Sequence, residues 1–77
     1  MKINLEDYEL VALHNPAALH AYVKERLLPG RMTYVIIDEI QHCADFPAVI
    51  DSLYIRDIVD IYLTGSNAYM LSGEIAS

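Results

Sequence analysis

Short apolar runs alternate with stretches of helical spacing along this 77-residue chain. Lys2 to Leu5 reads as a brief first strand that ends at the acidic pair Glu6-Asp7. Asn15-Pro16 pairs an N-cap side chain with a proline at the first helical position. Leu19, Tyr22, Val23 and Leu27 then fall on one helical face, and Pro29-Gly30 stops the helix. Tyr34-Val35-Ile36-Ile37 is a continuous run that ends at Asp38-Glu39. Continuity rather than alternation predicts a strand buried on both faces, as in parallel sheets. Phe46 to Tyr54 reads as a second helix, capped by Asp45 and with Pro47 in its first turn. Ile58 to Leu63 is a third strand, broken only by Asp60, that runs into Thr64-Gly65-Ser66-Asn67; Ala68 to Leu71 opens a third helix. The order predicts an α/β fold of three parallel strands with flanking helices, built from βαβ units. No helix terminus precedes Ser77, so residues 1–77 read as a single fragment of a larger domain.

Composition sharpens that picture. Hydrophobic residues make up 55% of the chain, too many for a disordered tail. A domain this short buries only about 60% of its unfolded surface. The excess points to an interface or a missing partner segment. Net charge is −6, and the five basic residues (Lys2, Lys24, Arg26, Arg31, Arg56) are scattered, so nucleic-acid binding is not supported. Cys43 is the only cysteine, which rules out an internal disulfide and fits a reducing compartment. The opening MKINLEDYEL carries acids where a signal peptide needs an apolar segment, and no run approaches the ~20 residues of a bilayer span. The expected setting is soluble and cytoplasmic, with no membrane association.

Asp38 and Glu39 are adjacent acids at the carboxyl end of a hydrophobic strand, which is where open α/β sheets bind ligands. In a nucleotide site the first acid holds magnesium and the second orients and polarises the attacking water. Solvated acids that merely end a strand would look the same. A second strand end follows at a βαβ distance and carries Thr64, Gly65, Ser66 and Asn67, whose hydroxyl and amide groups suit a γ-phosphate or the lytic water. Its plain alternative is a strand-to-helix turn with Ser66 or Asn67 as N-cap. His42 and Cys43 lie close to Glu39 in sequence, but His14 and His20 are not spaced to complete a zinc site. A nucleophilic role for Cys43 would need an activating partner correctly aimed, and Tyr22 and Tyr34 read as core or rim residues.

The segments Tyr34-Val-Ile-Ile-Asp-Glu-Ile-Gln41 and Asp60-Ile-Tyr-Leu-Thr-Gly-Ser-Asn-Ala68 resemble a family of prokaryotic AAA-type P-loop ATPases, often carrying an additional C-terminal domain. Ile3 to Asp7 is similar to that family's strand between Walker A and Walker B. The resemblance implies a partial P-loop NTPase sheet in which Asp38 is the Walker B magnesium acid and Glu39 the catalytic base. Thr64, Ser66 and Asn67 would supply sensor 1, and ATP with magnesium would be the cofactors of the intact parent.

No Gly-rich loop ending in Lys-Ser/Thr occurs in these 77 residues. Without that phosphate cradle the chain is expected to bind ATP poorly and to be inactive alone. The family's sheet order implies that the Walker B strand lies between the other two, leaving the Ile58 to Leu63 edge open to self-association. The competing reading is a small non-enzymatic module that self-associates or regulates an intact ATPase.

Overall fold

A computed structural model describes residues 1–56 and 58–65. Its strands are β1 (Lys2–Asn4), β2 (Thr33–Asp38) and β3 (Val59–Leu63), and its α-helices are α1 (Pro16–Arg26) and α2 (Phe46–Tyr54). The sheet is wholly parallel in the order β1-β2-β3, with Ile3 opposite Ile37 and Val35 opposite Ile61. This is the expected α/β architecture of three parallel strands with flanking helices, and the acid-bearing strand lies in the centre.

Local chemistry explains most element boundaries. The Asn15 side chain accepts the Ala18 amide at 3.0 Å and Pro16 opens α1, so sequence alone locates that start. Asp45 also precedes its helix, but it sits at φ 56° and makes no side-chain capping bond. The side-chain cap expected of Asp45 is therefore not formed. β1 is one residue shorter than expected. Leu5, just beyond it, is fully buried, and its amide still donates to the Asp38 carbonyl at 3.0 Å.

Each connection moves one strand along the sheet in the same direction. Right-handed crossovers then carry both helices to one face. Ile3, Leu5, Val35, Ile37, Val59 and Ile61 pack there against Leu19 and Val23 of α1 and Val49, Ile50 and Leu53 of α2. Burying each such side chain contributes about 1.5–3 kcal/mol. The opposite face carries Lys2, Tyr34, Ile36 and Tyr62, with Tyr34 58% and Ile36 40% exposed. This corrects the expectation that β2 is buried on both faces. Its unbroken apolar run prepares it for two layers, but among the described residues only one is present. Tyr34 is accordingly an exposed residue rather than a core one.

A 3-10 segment at Tyr8–His14, not anticipated from the sequence, follows β1. It seats Leu13 in the core and directs His14 Nε2 at the Leu5 carbonyl, 2.6 Å away. The expected third helix from Ala68 lies outside the described residues.

Candidate active site

Parallel register brings Asn4, Asp38 and Thr64 into one row at the carboxyl ends of β1, β2 and β3. Alternation along the strands puts that row on the uncovered face of the sheet, together with Lys2 and Ile36. The row is cross-linked. Thr64 Oγ1 donates to Asp38 Oδ1 at 3.1 Å and accepts the Glu39 amide at 3.2 Å. Backbone bonds fix the same junction, Thr64 N–H to the Ile37 carbonyl at 3.0 Å and Ile40 N–H to the Thr64 carbonyl at 2.9 Å. One threonine therefore holds both acids.

Glu39 pivots away from the strand in the left-handed region, at φ 60° and ψ 49°. A residue other than glycine pays conformational energy there and stays only when its surroundings over-determine it. The bonds from Thr64 are that surrounding. A short 3-10 turn, Ile40–His42, follows and drives Ile40 into the core. The Gln41 Nε2 amide donates to Glu39 Oε1 at 2.7 Å. Gly65, at φ 138°, lies directly against the other end of the Gln41 carboxamide, and a Cβ on it would collide with Gln41 Oε1.

Asp38 keeps its second oxygen available. The Asp38 side chain retains 23% of its exposure, and among the described residues Oδ2 faces only the exposed Lys2 ammonium at 3.9 Å. Such a contact between solvated groups contributes little. A carboxylate with a free oxygen beside a threonine hydroxyl is a hard-oxygen donor set, which suits magnesium. The residues present thus fit that ion, although they offer no cradle for phosphates.

Glu6, unlike His42, gave no site signal in the sequence, yet it stands near Glu39. Ligand-type atoms of Glu6, Glu39 and His42 lie within 4.8 Å of one another, with His42 Nε2 3.7 Å from Glu6 Oε2. His42 stacks on His14 at 5.4 Å between ring centroids. Only the β1–β2 pairing brings Glu6 here, so sequence spacing could not reveal it. Cys43, by contrast, is buried and points into the core. Burial, and secondarily the Asp45 charge, raises its thiol above the ordinary value. That is the reverse of what a nucleophile needs. Ser66 and Asn67, expected to share sensor 1 with Thr64, lie outside the described residues.

The profile of the AAA domain family matches residues 1–77, the whole chain. The chain belongs to the AAA domain family. An uncharacterized protein of Haemophilus influenzae is 30% identical over 76 residues, which make up 97% of this chain and 19% of that protein. The chain therefore spans about a fifth of the length of the curated relative it matches. No solved structure matches it significantly. Among the described residues of this AAA domain chain, no helix is long and apolar enough to cross a membrane.

Proposed function

We propose that the chain is the Walker B and sensor 1 portion of an ATP-hydrolysing AAA domain, and that it is inactive by itself. The observation carrying this reading is the Thr64 hydroxyl, which ties the Asp38 carboxylate to the Glu39 backbone across two strand ends. An ordinary strand end needs no such link. In an intact domain Asp38 would hold magnesium, which when bound neutralises phosphate charge. Glu39 would orient a water molecule and accept its proton as the oxygen attacks the γ-phosphorus and the bond to ADP breaks. Thr64, with Ser66 and Asn67, would serve as sensor 1. The single buried Cys43 supports a reducing, cytoplasmic setting.

Calorimetric titration of the chain with ATP and magnesium tests inactivity: micromolar affinity would overturn it. In an intact AAA domain carrying these residues, Glu39→Gln should abolish turnover and spare nucleotide binding. Loss of binding instead would give Glu39 a structural role.

A second reading, a non-enzymatic self-associating or regulatory module, is favoured by the face with Tyr34, Ile36 and Tyr62, which no helix covers among the described residues, and by the position of β3 at the end of the described sheet. Its occupant would be a second copy of the chain. Light scattering over a concentration series tests the self-association that both readings expect: a monodisperse monomer at high concentration excludes it and removes the second reading.

A further inference from the structure

We propose that Gln41 is the residue that positions Glu39 for catalysis; this rests on the reading of Glu39 as the base. Gln41 is two residues past Glu39, and the tight turn at Ile40–His42 folds its side chain back onto the glutamate. The carboxamide makes two unlike contacts. Its Nε2 donates to Glu39 Oε1 at 2.7 Å. Its Oε1 is buried, has no hydrogen-bond partner among the described residues, and rests against Gly65 at the end of β3. Gln41 is therefore wedged between the glutamate and the strand end that carries Thr64.

The wedge answers a specific problem. A half-buried glutamate on a turn samples several rotamers, and a base works only where its oxygen meets the water. Near Glu39 stand Glu6, which repels its carboxylate, and His42, which attracts it when protonated. These opposed forces by themselves give the carboxylate no single position. Gln41 fixes one oxygen with a neutral donor, so Oε2 is left for water and no formal charge is added beside it. A Cβ on Gly65 would meet the Gln41 carboxamide, and the backbone there, at φ 138°, itself disfavours any side chain.

Gln41 is the only glutamine in the chain, so its side-chain amide gives a unique NMR signal beside those of three asparagines. In the 77-residue chain one Nε2 proton should lie downfield and exchange slowly, and Glu39→Ala should remove both features. An amide signal indifferent to Glu39→Ala would overturn the contact. In an intact AAA domain carrying these residues, Gln41→Met, similar in size but without the donor, should lower kcat about tenfold or more with KM for ATP nearly unchanged. Gly65→Ala should lower kcat in the same way by displacing the carboxamide. A wild-type kcat for Gln41→Met, beside an inactive Glu39→Gln variant, defeats the positioning role alone. Normal turnover by Glu39→Gln defeats the base assignment beneath it, and the proposal with it.

Discussion

The hydroxyl of Tyr54, the last residue of α2, closes on the backbone of Ile61 in the edge strand: it accepts the Ile61 amide at 2.9 Å and donates to the Ile61 carbonyl at 3.3 Å. Ile58 and Thr64 direct their backbone groups toward β2, so by alternation Val59, Ile61 and Leu63 direct theirs outward. Tyr54 thus occupies the middle of the free edge, where a further strand would pair. An exposed edge invites pairing with other chains, and covering it is one of the ways proteins prevent this.

Tyr54→Phe should expose that edge and leave the Ile61 groups unpaired. Chemical denaturation should show a loss of about 1 kcal/mol. Sedimentation should show self-association beginning at a lower concentration than in the unaltered chain. Unchanged association would mean that the tyrosine hydroxyl does not guard the edge.

Thr64→Val keeps the shape of the side chain and deletes the hydroxyl that serves both acids. The strained Glu39 backbone then loses one of its restraints, at a cost of about 1 kcal/mol of stability. In an intact AAA domain turnover should fall along with it. Full activity in Thr64→Val would show that the link between Asp38 and Glu39 is dispensable.

Leu53 is fully buried between α2 and the sheet. Leu53→Ala should cost about 2–5 kcal/mol, a large share of the stability of so small a domain. Thermal melting followed by circular dichroism would record a strongly lowered or absent transition.

Cys43 should react slowly with iodoacetamide in the native chain at pH 7.5, and at the ordinary rate once the chain is unfolded. Its thiol is raised in the folded state, so the neutral form is the one the fold favours. The resulting stabilisation is complete below the unfolded thiol's ordinary range. It is lost as pH rises through the folded value, when unfolding lets the thiol ionise. Alkaline titration of stability in Cys43→Ala should show a weaker decline over that window.

Much of this was legible in the chain. The proline and asparagine at the start of α1 act on their immediate neighbours, so the helix start follows from local chemistry. The runs around Val35 and Ile61 mark strands by β-branching, and the acids at the end of the first run mark the candidate site. The segment Tyr8–His14 was not legible, because Leu13 and His14 are held by the core and by the Leu5 carbonyl rather than by any local signal. The Asp45 cap failed for the converse reason: a suitable residue stood in place, but a left-handed backbone took its side chain away from the amides.

Asp38, Glu39 and Thr64 could be picked out by sequence as chemistry-bearing residues, because residue type and strand period are properties of neighbours along the chain. Sequence also determined the strands, the order of elements and the family resemblance. Only the tertiary structure decided that one hydroxyl joins both acids, that Glu6 and Gln41 stand beside Glu39, and that Tyr54 guards the β3 edge. Apart from the local turn that places Gln41, those relations depend on register and crossover direction, which bring Glu6 and Glu39 together across 33 positions of sequence.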